Sequence, residues 1–390
     1  MFFLRAETKD SAPPDTLGAC RRSSTTEPDS RARLHRVERQ WAKIQPWLQS
    51  KGYMLRPRFR PGWVPSWKGE GEVQVQQCED AIRHVVTEDA GSEVTIDAIR
   101  ISDSRHVCLK RIPSRAEDST EVAITEFLSQ DEQRKDSRNH SIPLLDVIRA
   151  PDHCFMVFPF CRPLMYHEPP FNTVGEVFDM VQQALEGIQY LHELRIAHRD
   201  CSIANILMDG DRIFPRGFHM DGYFEDARGH IFSGLRTRTQ VGGVKYYIID
   251  FGESIKFGPT ESVLIDVWSK ATVHAPETLY KNRPPYDPFK ADIFAMGESM
   301  KELSVNEYAG YLDTLLPLFE AMTKDDPDRR LTASEVLERL HTIRRSYSRT
   351  ALHGRVRHRR AEPENDVERM FHNTWHWTKQ CAFAISNLKW

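Results

Sequence analysis

The chain has 390 residues, 53 Lys+Arg against 56 Asp+Glu, and a net charge of −3. With 40% hydrophobic and 28% charged residues it is composed like a globular protein, with length for roughly two or three domain-sized units. The balanced charge excludes a uniformly basic nucleic-acid coat and a polyacidic tail protein. No run of 18 apolar residues occurs, so no transmembrane helix is expected. Phe2, Phe3 and Leu4 are too few for a signal-peptide core. The seven cysteines form no C-x-x-C pair. They read as free thiols of an intracellular chain, cytoplasmic or nuclear, and exclude a disulfide scaffold or zinc ribbon.

Residues 1–32 are polar and are expected to be disordered. Leu34, Val37, Trp41, Ile44 and Leu48 recur three and four apart, a helical stripe bent or ended near Pro46. Pro57, Pro61 and Pro65 make the next stretch irregular, with Trp63 and Trp67 as anchors on the folded domain. Residues 33–81 thus form an extension that should brace the strand-rich region next to it in the chain. Val94–Ile101 and His106–Ile112 read as a β-hairpin, 119–130 as a helix, and 144–148 and 154–160 as two further strands. Helical patterns dominate from Val174 onward. Strands early and helices late argue for an α+β fold with two lobes.

Residues 209–244 hold seven of the 20 glycines and read as a turn-rich insertion, either a surface excursion or a partner platform. Residues 344–360 are Arg-rich and read as a solvated tail or, less simply, as an acidic-partner patch. Residues 366–390 regain a helical pattern through Phe371, Trp375, Trp377, Phe383 and Ile385, expected to dock as a C-terminal helix.

Three short motifs follow one another in order. His198-Arg199-Asp200-Cys201-Ser202-Ile203-Ala204-Asn205 has the form H-R-D-x-x-x-x-N. It follows a helix and runs into the short strand Ile206–Met208. Asp250-Phe251-Gly252 closes the apolar run 246–249. Ala275-Pro276-Glu277 comes next, then Asp292 and Gly297 on a buried helix, then Arg330. Each tripeptide alone is weak; the ordered set in its structural context is specific.

On these motifs the chain resembles a eukaryotic protein kinase domain over residues 82–345, and its insertion and flanks resemble kinase-like proteins of fungi. The resemblance implies a two-lobed fold with a small β-rich lobe and a larger helical lobe. It implies ATP and Mg²⁺ (or Mn²⁺) as cofactors and a protein as substrate, with no nucleic acid. Asp250 and Asn205 would hold the metal ions, since hard cations take oxygen ligands. Asp200 would accept the proton of the substrate hydroxyl, and Lys110 would grip the α- and β-phosphates. Glu121 is the first choice as carboxylate partner of Lys110, with Glu126 the alternate. Phe158–Cys161 would form the adenine hinge, through the Pro159 carbonyl and the Cys161 N–H, with Leu207 beneath the ring. Glu277 would pair with Arg330. Arg199 could receive a phosphate on Thr260, Ser262, Ser269 or Thr272.

The chain departs from the family in three places. The expected G-x-G-x-x-G before Val94 is reduced to Gly91, within Glu88–Glu93. Ser202 stands where Ser/Thr kinases usually carry Lys. Between Asn205 and Asp250 lie 44 residues. The leading reading is a protein kinase acting on Ser/Thr. The alternative is a pseudokinase, a scaffold or nucleotide-binding module without efficient phosphotransfer. A small-molecule kinase is disfavoured by Ala275-Pro276-Glu277 and Arg330, and no H-E-x-x-H or G-x-S-x-G supports a zinc protease or serine hydrolase.

Overall fold

The computed structural model describes residues 30–68, 75, 78–84, 94–164, 169–279, 284–308 and 310–387. In chain order it begins with α1 (Arg36–Ser50) and β1 (Tyr53–Leu55), then β2 (Thr95–Arg100) and β3 (Arg105–Ile112). Two helices come next, α2 (Thr120–Leu128) and α3 (Asp131–Arg134), then β4 (Asp146–Arg149), β5 (Cys154–Pro159) and β6 (Arg162–Pro163). The second half holds α4 (Val174–Glu193), β7 (Ile196–Ala197), β8 (Ile206–Met208), β9 (Tyr246–Ile248), β10 (Ile255–Lys256), α5 (Pro288–Met300), α6 (Leu316–Met322), α7 (Ala333–Ser346), α8 (Arg349–Leu352) and α9 (Asp366–Asn387). Strands early and helices late yield the two-lobed α+β architecture expected of the sequence. Among the described residues no helix is long and apolar enough to cross a membrane.

The small lobe is one antiparallel sheet in the order β1-β2-β3-β5-β4. Side chains alternate across a strand, so each strand serves two faces. Val107, Leu109, Phe155 and Val157 point to one face and meet Val37, Trp41 and Leu48 of α1. Ile112, Cys154, Met156 and Phe158 point to the other and meet Val122 of α2. Both faces are covered, which is why β5 reads as an unbroken apolar run.

The helix α1 runs through Pro46 to Ser50 rather than ending there. Leu48 beyond the proline is fully buried, so docking on the sheet outweighs the lost backbone bond. Residues 1–29 of the expected disordered segment lie outside the described residues, and Ser30–Ala32 form a 3₁₀ turn. The extension is fastened by a buried ion pair: Glu38 accepts from Arg58 Nε (2.7 Å) and Nη2 (3.0 Å), and from the N–H groups of His35 and His84 (both 3.0 Å). Arg58 spends its other donors on the carbonyls of Arg31, Arg33 and Asp80. Trp63 donates to Asp80 at 2.9 Å and lies under the Arg58 guanidinium.

The insertion leaves β8 and returns to β9, with Asp209 N–H closing on the Lys245 carbonyl (2.9 Å). It is not a surface excursion. Ile213, Phe214, Phe218 and Val241 are buried in the large-lobe core. Arg162 of β6 donates to the carbonyls of Gly222 and Tyr223 and is surrounded by the rings of Phe214, Phe218 and Phe232. Its aromatic residues make the segment a core component despite its glycines. It also meets the extension: Arg56 bonds Asp221 (2.5 Å) and His219 (2.6 Å) while bridging to Asp97 of β2 (2.9 Å). His84 contacts the same Asp221 at 3.0 Å.

The Arg-rich stretch is likewise not a free tail. The Gly354 carbonyl accepts from Val174 N–H, Val356 N–H donates to the Asn172 carbonyl, and Val356 is buried. Arg355 is paired with Glu364 and His358 with Glu307. Helix α9 docks through His376, Gln380 and Ala384, leaving Phe371, Trp375 and Ile385 exposed. The bulky stripe noted in the sequence docks only in part: Trp377 and Phe383 are half-buried, and His376 and Gln380 find partners at His353.

Burial alone would raise the Glu38 carboxyl, but Arg58 and two backbone N–H groups hold it below the usual carboxylate range. A lowered folded-state value contributes stability above the unfolded carboxylate value and loses it as pH falls. Glu38→Gln should therefore cost about 3 kcal/mol or more at neutral pH. The gap in melting temperature from wild type should shrink as pH drops below about 4. A pH-independent gap would refute the ion pair as its cause.

Candidate active site at the junction of the lobes

Strand alternation turns Cys108 and Lys110 of β3 away from the α1 face and toward the second lobe. The Lys110 ammonium lies 2.6 Å from Glu121 Oε1 and 2.9 Å from Asp250 Oδ1. Ser119 caps α2 by accepting from Val122 N–H, which sets Glu121 on the first turn facing inward. Glu126 faces Arg149 on the surface instead, at 3.1 Å. Burial pulls the lysine down, but the two carboxylates outweigh it and keep it charged; the Asp250 carboxyl is in turn held below its usual range by Lys110 and the Gly252 N–H, against burial. Gly252 packs closely against both carboxylates. A Cβ would sit 3.1 Å from Asp250 Oδ1 and 3.4 Å from Glu121 Oε2.

Asp292 of α5 organises the opposite wall. Its buried carboxylate accepts the N–H groups of His198 (2.8 Å) and Arg199 (2.7 Å). Arg199 is held at φ +66. His198 reaches the Ile249 carbonyl (3.0 Å), tying the loop to the strand that precedes Asp250. Asp200 then meets Asn205, whose Nδ2 donates to its carbonyl (2.9 Å) and its Oδ2 (2.8 Å). The backbone N–H of Thr272 donates to Asp200 Oδ1 at 2.6 Å. The fold thus sets Lys110, Glu121 and Asp250 together and Asp200 beside Asn205, and the Ile249 N–H on the Asn205 carbonyl (3.0 Å) ties the two groups one residue before Asp250.

Phe160 and Cys161 lie buried between β5 and β6 where the lobes join, just beyond Pro159. The Phe160 ring packs against His106 (3.9 Å between centroids) and stacks on Phe218 of the insertion (4.6 Å). Burial pushes the Cys161 thiol well up. On β8, Ile206 and Met208 enter the large-lobe core, while Leu207 packs with Cys108 beneath the small-lobe cluster. The Gly91 region, residues 85–93, lies outside the described residues. β1 pairs only with Ala98–Arg100, and the chain leaves at Arg56 toward the insertion rather than turning directly into β2.

Arg330 grips Glu277 through both nitrogens, at 2.6 and 2.8 Å. The terminal nitrogens of Arg199 are engaged in this structure. Its guanidinium donates to the carbonyls of Glu253, Val267 and Trp268, and Ser269 is buried against its backbone. Sequence reasoning gave Asp292 no role beyond its helix; a lone acid in an apolar buried helix was the available signal. The Thr272 contact left no signal, since it is made by a backbone N–H. Removing the Asp292 acceptor strands two buried N–H groups, so Asp292→Ala should cost about 3 kcal/mol or more. A thermal melt within two degrees of wild type would contradict this account.

The family model for the protein kinase domain matches residues 90–311, more than half of the chain. The chain is 23% identical over 198 residues to the serine/threonine-protein kinase par-4 of Caenorhabditis elegans, covering 48% of this chain and 27% of that protein. It is 25% identical over 273 residues to a probable cell division protein kinase of Encephalitozoon cuniculi, covering 69% of this chain and 80% of that protein. It is 28% identical over 169 residues to a probable serine/threonine-protein kinase of Zea mays, covering 43% and 25%. The matches thus span about a quarter of the worm and maize proteins.

Proposed function

The chain belongs to the protein kinase domain family, and we propose that it transfers the γ-phosphate of ATP to a serine or threonine hydroxyl of a protein. The observation that carries the reading is the joining of two polar clusters: Lys110 with Glu121 and Asp250, and Asp200 with Asn205, linked by the Ile249 N–H on the Asn205 carbonyl (3.0 Å) one residue before Asp250. The phosphotransfer unit spans 82–345 with 209–244 set into it; 33–81 braces the small lobe and 346–390 docks on the large one. Cytoplasm or nucleus is the proposed compartment.

Phosphoryl transfer needs positioning and charge neutralisation more than covalent chemistry from the protein. The residues fit a divalent cation. Asn205 spends its amide hydrogens on Asp200, and no described residue donates to its Oδ1. The Asp250 side chain is 45% exposed to the cleft. Asn205 and Asp250 would hold Mg²⁺, which bridges and neutralises phosphate oxygens when bound. Lys110, steadied by Glu121, binds the α- and β-phosphates. Pro159 and Cys161 offer the adenine edge a carbonyl and an N–H, and Leu207 supplies an apolar floor. Asp200 accepts the proton of the hydroxyl as it attacks.

The test is transfer of labelled γ-phosphate from ATP with Mg²⁺ or Mn²⁺ to a panel of basic and acidic protein substrates. Asp200→Asn and Asp250→Asn should each lower incorporation by at least about a hundredfold. Incorporation that survives both substitutions would reject the site. No incorporation, together with no nucleotide-induced rise in melting temperature, would favour a pseudokinase.

A further inference from the structure

Transfer of a phosphoryl group spreads negative charge over its oxygens, and cations aimed at that charge lower the barrier. Among the described residues, the cations of the catalytic loop and its neighbouring segments, Lys270 apart, are already committed. Lys110 is held by Glu121 and Asp250. Arg199 is spent on three backbone carbonyls. Arg195 bonds the carbonyls of Gly258 and Glu261, Lys256 lies over the Phe127 ring, and Lys290 bonds the Arg330 carbonyl. The catalytic loop itself offers only the Ser202 hydroxyl, which is buried, uncharged and without a hydrogen-bond partner.

Lys270 differs from all of these. Its side chain is exposed, and among the described residues its ammonium makes no hydrogen bond or ion pair. Its backbone is fixed against the catalytic loop on both sides. Ser269 Oγ donates to the Arg199 carbonyl (3.3 Å), and Thr272 N–H donates to Asp200 Oδ1 (2.6 Å). Its own N–H reaches Glu253 at 3.4 Å. From a Cα two residues before the Thr272 amide, about 5 Å away, an arm of about 6 Å reaches the space around the Asp200 carboxylate. A hydroxyl bound to Asp200 sits about 3–3.5 Å from the phosphorus it attacks. The transferred group therefore falls within reach of the free ammonium.

We infer that Lys270 binds the γ-phosphate during transfer, supplying from the segment after Asp250 the cation that the catalytic loop lacks. The inference rests on the phosphotransfer reading above. In the step, the substrate oxygen forms a bond to the γ-phosphorus, the bond from that phosphorus to the β,γ-bridging oxygen breaks, ADP departs, and the hydroxyl proton passes to Asp200. Lys270 exchanges no proton; it holds non-bridging oxygens.

Binding and turnover separate the two claims. Calorimetric titration with Mg²⁺ and ADP, and with Mg²⁺ and the non-hydrolysable β,γ-imido analogue of ATP, would compare wild type with Lys270→Met and Lys270→Arg. Lys270→Met should weaken the analogue about tenfold and leave ADP unchanged, the effect of one charge-assisted contact. Lys270→Arg should retain most of the analogue's affinity. Equal affinity of wild type and Lys270→Met for the analogue, equal loss for both nucleotides, or no binding by wild type would each overturn the inference. Turnover is read separately. An inactive wild type whose analogue affinity still falls in Lys270→Met keeps Lys270 as a γ-phosphate ligand and overturns phosphotransfer.

Discussion

A single buried carboxylate fixes the geometry on which the cleft depends. Asp292 accepts two consecutive backbone N–H groups, of His198 and Arg199, and takes a third contact from His192 at 3.1 Å. Without that acceptor the His-Arg-Asp turn has no reason to hold Arg199 at positive φ. Asp200 comes directly after the turn, so its placement beside Asn205 is set by a residue on another helix. Burial would raise the Asp292 carboxyl, but His192, His198 and the N–H groups hold it lowered and charged.

The segments that lie outside the shared domain core are joined to it by arginines. Arg58 binds α1 to the loop behind it, Arg162 binds β6 to the insertion, and Arg238 bonds Tyr246 and the Pro169 carbonyl beneath Phe171. Arg56 touches both lobes at once, through Asp97 of the small and Asp221 of the large. Guanidinium suits this task because its planar donors reach several acceptors in fixed directions. The consequence is mechanical. The lobes are connected beside Phe160 by the chain itself and again by the Arg56 contacts, so a change in their angle must disturb a buried ion cluster.

Strong periodicity makes much of the fold legible. The hairpin, α2, α4 and the strands around β5 come from alternation or from three-and-four spacing. The Lys110–Glu121 pairing is also within reach, because Ile124 and Phe127, three and six residues on, indicate which face of α2 turns inward; in the structure Ile124 is buried and Phe127 half-buried. Composition misleads at the insertion for a definite reason. A glycine-rich stretch signals turns, but Phe214 and Phe218 bury their rings regardless of local backbone regularity. The basic stretch after α7 misleads in the same way: Arg355 finds Glu364 on the chain that follows, and His358 finds Glu307 on a distant segment. Local sequence carries propensity; it does not carry the identity of a distant partner.

Backbone strain is distributed unevenly, and its location is informative. Among the described residues four non-glycines have positive φ: Ser104, Arg195, Arg199 and Asp250. Ser104 sits in the turn between β2 and β3. The other three flank the catalytic loop and the Asp-Phe-Gly turn. Each costs about 1–3 kcal/mol and persists only where surroundings over-determine it. Arg195 is held by the carbonyls of Gly258 and Glu261, Arg199 by Asp292, and Asp250 by Lys110. Of these, Asp250 is assigned to chemistry and Arg199 directly precedes Asp200, so two of the four strained positions lie at the site or beside it. Relaxing Arg199 or Asp250 to an ordinary conformation would displace Asp200 or Asp250 itself. The fold therefore gives up stability at the site and recovers it in the apolar and ionic packing around it.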